Sequence, residues 1–326
     1  MAGVHLHVPR HVRLALEGQG NPQFYGPLAR GLRRRGAEVV LRPSDEDSWR
    51  AIPEGGEAGV FHVVHNGRIR APGVLNAAIA YLDRWWQLDP AGVLGRSSIA
   101  SEAWDPAATD RRAAMDFLSA LRRRYVLPRR SRYDQPAGVV PAPEGSVAVF
   151  LQGRSPLTEM ARRFPTAAMI RAVAMGSGGR PVRVKPHPQR SHPDELAAIS
   201  HLAAEGHDVA LYEGNVHDLL ARCAATVSIS SACSFEGFLH RKPAILYGRS
   251  DFHHHAFAVP DDTPEGFAAT LEKALTTRQS HARYVHWYLR GHCLNADDPR
   301  LMRRILGRMR AAGWDAGWLG TTTEGV

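Results

Sequence analysis

Residues 182–248 carry a repeating pattern that limits the chain to few folds. Short runs of β-branched and apolar residues, at 182–184, 226–229 and 244–247, each end in polar residues or glycine, and stretches with helical spacing separate them. Strands that are buried on both faces read as continuous apolar runs, and the helices between them cover both faces of a parallel sheet. The pattern therefore predicts an α/β fold built on parallel strands.

Four polar side chains fall at the ends of these predicted strands. Lys185 and His187 belong to a Lys-Pro-His-Pro run that ends at Pro188, and Ser230 and Ser231 follow the next apolar run. Ligands of open parallel sheets bind beyond the carboxyl ends of the strands. An ammonium, an imidazole and two hydroxyls gathered there suit an anion, and we predict a phosphate. A helix is expected to begin at Ser231, and its unpaired N–H groups would add to the site.

Three further polar residues lie near these strand ends, and structural roles explain them as well. Gln152 follows a predicted strand at 147–151 and lines the same edge, although a simple strand-to-helix turn would also place it there. Asn215 opens a helical pattern. Glu236, in the first turn after Ser231, is suited to accept hydrogen bonds from ribose hydroxyls or to complement the helix dipole. Serine is also a common helix N-cap, and at Ser231 both roles are compatible.

The rest of the chain alternates predicted strands and helices around a proline-rich stretch. Residues 128–145 contain four prolines and little periodicity, which indicates a linker. We therefore predict an α/β domain at 1–127, the linker at 128–145 and a second domain at 146–326. Further strands are expected at 3–8, 37–41 and 59–65, and helices at 24–35, 74–86, 110–124, 158–175, 281–293 and 299–309.

Composition argues against several classes of protein. The 326 residues carry a net charge of +9 and 44% hydrophobic residues, with no apolar run long enough to span a membrane. The N-terminus lacks a signal-peptide pattern, and the three cysteines form no CxxC pair, which argues against disulfides and zinc. We expect a cytoplasmic protein without a metal ion. The positive charge favours anionic partners, but no nucleic-acid-binding motif is present, so we expect no nucleic-acid partner.

Histidines and one aspartate raise the question of acid–base and metal chemistry. His65 ends the predicted strand at 59–65 and could serve as a base near neutral pH, although a histidine at a strand end is often structural. Asp89, in a predicted turn before Pro90, is the alternative base. The adjacent histidines at His253–His255 would point alternately in an extended segment, so they are not expected to hold one ion.

The motifs of the second half resemble those of the capsule polysaccharide biosynthesis family, which includes the β-Kdo transferases of capsule export systems. The His-Pro and paired-serine elements are also similar to those of bacterial sialyltransferases, whose donor is a CMP-sugar. In the first half, residues 20–25 resemble the family's early glycine-rich loop, and residues 65–70 resemble its Glu-Asn-Gly-Tyr-Leu-Arg-Pro signature, with His65 in place of the acid. The segments of the second half that match in order and spacing are 185–188, 215–220, 230–237 and 242–248.

This resemblance implies a GT-B glycosyltransferase, in which two Rossmann-type domains face a cleft and C-terminal helices close the fold. It implies transfer of Kdo or a related acidic sugar from its CMP form to a surface polysaccharide or glycolipid, without a cofactor. His187, Ser230 and Ser231 would then contact the phosphate of the nucleotide, and His65 or Asp89 would serve the acceptor.

Two other functions stay open at this point. A transferase of the same fold could use a UDP- or GDP-sugar instead. A non-catalytic glycan-binding or assembly protein could retain the fold without the base, and the missing acid at His65 favours that alternative. The helix expected at 299–309 has an apolar face and an arginine-rich face. It would either dock on the first domain, which we prefer, or contact anionic lipid at the inner membrane.

Overall fold

The structure is a computed structural model that describes residues 3–18, 20–153, 155–189 and 192–314. The chain forms two compact units. Among the described residues, the first unit combines those within 3–80, 84–102 and 292–314, and the second combines those within 81–83 and 103–291. These ranges differ from the predicted domains, because residues 103–127 belong to the second unit and the final helix belongs to the first.

Strands and helices alternate through most of the described chain. The strands are β1 (Gly3–Val8), β2 (Glu38–Pro43), β3 (Val60–His65), β4 (Val74–Ile79), β5 (Trp85–Asp89), β6 (Val147–Phe150), β7 (Val182–Lys185), β8 (Val209–Leu211), β9 (Ala225–Ser228), β10 (Ala244–Leu246), β11 (Phe257–Ala258) and β12 (Leu294–Asn295). The helices are α1 (Arg10–Glu17), α2 (Tyr25–Arg33), α3 (Glu46–Arg50), α4 (Arg111–Leu121), α5 (Pro156–Ala161), α6 (Thr166–Gly176), α7 (Pro193–Ala204), α8 (Val216–Arg222), α9 (Ala232–Leu239), α10 (Pro264–Thr276), α11 (His281–Val285) and α12 (Leu301–Ala311).

The first unit is built on a six-stranded sheet in the order β12-β5-β4-β3-β1-β2. Strands β1 to β4 pair in parallel, and β5 pairs antiparallel with both β4 and β12. Alternate residues of β1 and β3 pack into one core with α1, α2 and α12. The other face carries a smaller apolar cluster that includes Val64, Val74 and Ile52.

The final helix, α12, completes the core of the first unit. Its buried residues there are Leu301, Ile305, Leu306 and Met309. This confirms the prediction that the helix docks on the first domain. Because its apolar face is already covered by protein, that face cannot also lie on a lipid surface. None of the helices in the described ranges combines the length and apolar character that a membrane span requires.

The second unit is built on a six-stranded, fully parallel sheet in the order β11-β10-β9-β6-β7-β8. From the central strand β6 the chain moves outward to β7 and β8, then returns to place β9, β10 and β11 on the other side of β6. The boundary between β6 and β9 is therefore a topological switch point, where ligands of doubly wound sheets bind beyond the strand ends. Helices α6, α7 and α10 cover one face, and α8 covers the other.

The helix predicted at residues 74–86 is wrong. The segment forms β4 and β5, which are joined by a short turn. Nearly every residue of the two strands is buried, so the apolar pattern shows no alternation between two faces. Periodicity alone cannot separate such a strand from a buried helix.

Two other boundaries differ from the sequence-based expectation. The helix predicted at 158–175 is two helices, α5 and α6. The first ends at Ala161 because Arg162 is extended and forms an antiparallel bridge with Gly248, and Pro165 then precedes α6 as its N-cap residue. The helix expected at 110–124 is present as α4 and packs against α11, which explains why this stretch belongs to the second unit.

Candidate functional site

A pair of side chains joins the two central strand ends of the second unit at the switch point. Gln152 follows β6, and Ser230 follows β9. The Ser230 N–H donates to Gln152 Oε1 at 2.6 Å, and Gln152 Nε2 donates to Ser230 Oγ at 3.3 Å. Two residues 78 positions apart in the chain thus meet at the edge where parallel α/β sheets bind ligands.

The turn after β9 presents the start of α9 to this same edge. Ser231 is the N-cap of α9, and its Oγ accepts a hydrogen bond from the Cys233 N–H at 3.3 Å. Ser228 Oγ accepts from the Ser231 N–H at 3.0 Å and lies 2.8 Å from Ser234 Oγ. These bonds fix the turn, so the positive end of the helix dipole points towards the strand ends. Ser228 and Ser234 were not among the predicted site residues.

Lys185 ends β7 and contacts the loop that precedes α8. Its Nζ donates to the Gly214 carbonyl at 2.6 Å and lies 5.8 Å from the ring centroid of Tyr212. Burial lowers the pKa of the ammonium, and the nearby Cys233 and Glu213 act in the opposite direction. An ammonium has three donor hydrogens, so Lys185 can contact an anion while it keeps its bond to the carbonyl.

His187 lies in the loop beyond β7 with its ring against Tyr133. The two ring centroids are 5.1 Å apart in an edge-to-face arrangement. His187 Nδ1 accepts a hydrogen bond from the Gln189 N–H at 3.2 Å. The neutral ring therefore carries its hydrogen on Nε2, an atom that can donate to an anionic oxygen. Pro188 is exposed beside it and limits the conformations of the loop.

Part of the predicted linker, residues 129–138, lies across α8 and the start of the site, and we call it the crossing segment. Arg129 forms a bidentate ion pair with Asp218, with Nε–Oδ1 and Nη2–Oδ2 distances of 2.9 and 2.6 Å. Gln135 Oε1 accepts from the Val216 N–H at 3.0 Å. This segment is an ordered part of the second unit, although it has no regular secondary structure.

Asn215 holds the crossing segment through hydrogen bonds to its backbone. Its side-chain oxygen caps α8 by accepting from the His217 N–H at 2.9 Å, and its Nδ2 donates to the carbonyls of Arg129 and Pro136 at 3.1 and 3.4 Å. The side chain is only 2% exposed. The structure therefore gives Asn215 a positioning role, and direct contact with a nucleotide stays a prediction.

Glu236 is buried beneath the same segment. Ser131 Oγ donates to Glu236 Oε1 at 2.6 Å, and His217 Nε2 lies 3.7 Å from Glu236 Oε2. Burial raises the pKa of the carboxyl group to about 8, and the Ser131 bond opposes this shift. A ribose hydroxyl could contact Glu236 by replacing the Ser131 hydroxyl as the donor.

The raised pKa of Glu236 makes stability depend on pH. The folded protein keeps this group protonated up to about pH 8, whereas the unfolded chain ionises it from about pH 4.5. The folded state thus binds the extra proton, and its stability falls as the pH rises through this window. Glu236→Gln cannot ionise and serves as the reference. The difference in unfolding free energy between the wild type and this variant should shift against the wild type as the pH rises from about 4.5 to about 8, and should be constant outside this range. Denaturant titrations across that range test this, and a pH-independent difference would contradict it.

His65 ends β3 in the first unit and contacts the helix that follows the early glycine-rich loop. Its Nδ1 lies 3.0 Å from the hydroxyl of the buried Tyr25, and its backbone carbonyl accepts from Ser44 Oγ at 2.9 Å. The structure thus brings together the two N-terminal segments that resemble family motifs. For Nε2 to act as a base, Nδ1 must carry the hydrogen and donate it to the Tyr25 oxygen, which this geometry permits.

Asn76 was missed by the sequence analysis because it lies in the segment that was predicted as a helix. Its side chain is fully buried, accepts from the Ile69 N–H at 3.0 Å and donates to the carbonyls of Ile69 and Asp89 at 2.8 and 3.2 Å. Gly67 is required here because a Cβ would lie 2.2 Å from Asn76 Oδ1. Asn76 therefore holds the loop that follows His65.

Asp89 anchors the turn that follows β5. Its Oδ1 accepts from the N–H groups of Ala91, Gly92 and Ser98 at 2.8, 3.2 and 3.0 Å. Its Oδ2 accepts from the Ser98 hydroxyl at 2.6 Å. Both carboxylate oxygens are engaged in structural bonds, so of the two candidate bases His65 has the more suitable geometry, and a role for Asp89 as base stays a prediction.

Two Rossmann-like α/β units, one with polar residues gathered at its switch point, define the GT-B-like class of fold, as predicted. Solved structures of KpsC from Thermosulfurimonas dismutans share this fold. The β-Kdo 2,7 transferase is 12% identical, and the alignment covers 94% of this chain and 100% of that chain with a TM-score of 0.51. The β-Kdo 2,4 transferase is 15% identical, with coverages of 87% and 89% and a TM-score of 0.51. No family model and no curated protein matches the sequence.

Proposed function

We propose that this protein is a GT-B glycosyltransferase that transfers a sugar from a nucleotide-activated donor to a glycan or glycolipid acceptor. The donor that fits best is a CMP-activated acidic sugar, Kdo or a relative. The Gln152–Ser230 pair at the switch point, beside the N-terminus of α9, is the observation that supports this most strongly. We place the reaction in the cytoplasm.

The donor phosphate would lie at the N-terminus of α9. There the helix dipole, the Ser230 hydroxyl, His187 Nε2 and the Lys185 ammonium would supply positive charge and hydrogen bonds. When the sugar leaves, negative charge grows on the phosphate, and these contacts strengthen as it does. This stabilises the transition state by protein groups alone, so the proposed reaction is metal-independent. Glu236 would accept from the ribose hydroxyls after exchange with Ser131.

The acceptor hydroxyl would be served by His65, which Tyr25 holds in a fixed orientation. We expect His65→Gln to lower turnover by at least about tenfold, because general bases contribute at least that much. CMP affinity should stay within twofold, because the donor groups lie on the second unit. A sugar-transfer assay tests the expected loss of turnover, and calorimetric titration with CMP tests the unchanged affinity. Unchanged turnover would remove His65 from the mechanism and leave Asp89 as the candidate.

The donor assignment is tested by titrating the wild-type protein with CMP, UMP and GMP without added metal. Selective binding of CMP supports the assignment and justifies assays with CMP-Kdo. Preference for UMP or GMP would keep a transferase of this fold and discard the CMP-sugar donor. Nucleotide binding without donor hydrolysis or transfer would favour a non-catalytic glycan-binding protein, and absence of all binding would overturn the transferase proposal.

A further inference from the structure

Three histidines lie on one face of the sheet in the first unit, away from its main core. His5 and His7 alternate with Val4, Leu6 and Val8 on β1, and the three apolar residues pack into the core. The parallel register pairs His5 with His62 of β3, so their side chains leave the sheet on the same face. The alternation of β1 and its pairing with β3 thus bring His5, His7 and His62 together. We call this group the histidine cluster.

The ring nitrogens of the histidine cluster converge. His7 Nε2 lies 3.0 Å from His62 Nδ1, and the rings of His5 and His62 meet edge to face with centroids 5.2 Å apart. One nitrogen of each ring lies within 4.8 Å of the others. Tetrahedral zinc with Zn–N bonds of about 2.0–2.1 Å separates its nitrogen ligands by roughly 3.4 Å. Small side-chain rotations would therefore bring all three nitrogens to one ion.

A side-chain oxygen lies near the outward nitrogen of two of these rings. His62 Nε2 lies 3.1 Å from Glu57 Oε2. His7 Nδ1 lies 3.4 Å from Ser48 Oγ. A histidine that binds a metal commonly donates its second N–H to a carboxylate or another oxygen, which fixes the ring and directs the first nitrogen to the ion. Here both arrangements direct His62 Nδ1 and His7 Nε2 towards the same point.

We propose that His5, His7 and His62 bind one divalent transition-metal ion, with Zn²⁺ the best match, and that Glu57 orients His62 for this role. Three imidazole nitrogens suit zinc among the common biological metals, and a water molecule could complete the tetrahedron. The ion would join β1, β3 and the loop that carries Glu57, and so stabilise the first unit. This site is independent of the proposed transfer reaction. It also departs from the sequence-based expectation of no metal, which considered only cysteine spacing and adjacent histidines.

The test uses the full chain, stripped with a chelator and then dialysed against Zn²⁺. We expect the wild type to retain one equivalent through gel filtration and to gain thermal stability. His7→Gln and His62→Gln should each lose the retained ion. Glu57→Gln should bind about 10- to 100-fold more weakly, as removal of an outer-shell partner does. Co²⁺ in place of Zn²⁺ should show the visible absorption of a tetrahedral nitrogen site in the wild type but not in His7→Gln or His62→Gln.

Two control variants address adventitious binding. His11→Gln removes an exposed histidine of α1 in the same unit, and the double variant His253→Gln/His254→Gln removes adjacent histidines of the second unit. Both should bind as the wild type does. Failure of the wild type to retain zinc, retention by His62→Gln, or loss in the double variant would overturn the proposal. If His62→Gln does not fold, Glu57→Gln decides, because this side chain is 42% exposed and its affinity should still drop.

Discussion

CMP should bind His187→Ala about 10- to 100-fold more weakly than the wild type. His187 Nδ1 accepts a hydrogen bond from the Gln189 N–H, so Nε2 is the atom that we propose donates to the phosphate. A hydrogen bond to a charged group contributes about 1.5–3 kcal/mol, which corresponds to this range of affinity. Calorimetric titration with CMP measures the change directly. Thermal unfolding without ligand should stay close to that of the wild type, because His187 is only partly buried in a loop beyond β7.

A neighbouring histidine offers a matched control. His192 also precedes a proline, but its side chain caps α7 by accepting from the Asp194 N–H at 3.3 Å. His192→Asn keeps an N-cap side chain there and should leave CMP affinity unchanged. Wild-type affinity in His187→Ala, or an equal loss in His192→Asn, would show that the Lys-Pro-His-Pro run does not bind the phosphate.

Asn215→Ala is expected to lower the unfolding free energy by about 2–4 kcal/mol. Loss of the N-cap of α8 costs about 1 kcal/mol, and the two part-buried hydrogen bonds to the Arg129 and Pro136 carbonyls, at about 0.5–1.5 kcal/mol each, add about 1–3 kcal/mol. Denaturant unfolding measures the loss. The crossing segment should also become susceptible to limited proteolysis, because Asn215 holds two of its carbonyls.

Asn215→Asp separates the two parts of this effect. The carboxylate still accepts from the His217 N–H and keeps the cap, but it cannot donate to the Arg129 and Pro136 carbonyls. We expect an intermediate loss of stability with the same gain in proteolysis. A change below about 0.5 kcal/mol in Asn215→Ala, typical of neutral surface substitutions, would contradict the anchoring role.

The sequence predicted the second sheet well because its strands are short apolar runs with distinct polar ends. Lys185, Ser230 and Gln152 lie at strand ends in the structure, where the pattern placed them. In a parallel sheet, strand ends of the same direction meet at one edge, so position in sequence predicts position in space. Residues 74–86 carried no such signal, because strands with both faces buried lack a period.

Contacts between distant segments were beyond the reach of sequence patterns. Ser131 meets Glu236 across 105 positions, and His7 meets His62 across 55. No local period or turn residue marks these pairs, because each depends on where the fold brings an irregular segment or a neighbouring strand. Because such contacts leave no local pattern, the sequence predicts a linker where the crossing segment lies and does not predict that this segment covers Glu236.

The return of α12 to the first unit bears on how the chain folds as it is made. The ribosome delivers β1 to β5 first, but their core also requires Leu301, Ile305 and Met309, which come more than two hundred residues later. Residues 103–291 of the second unit emerge in between and can pack before the first unit is complete. A fragment that stops before residue 292 would leave the apolar face of the first sheet exposed, and such surfaces promote aggregation. Helix α12 is thus needed before the earliest strands can complete their core.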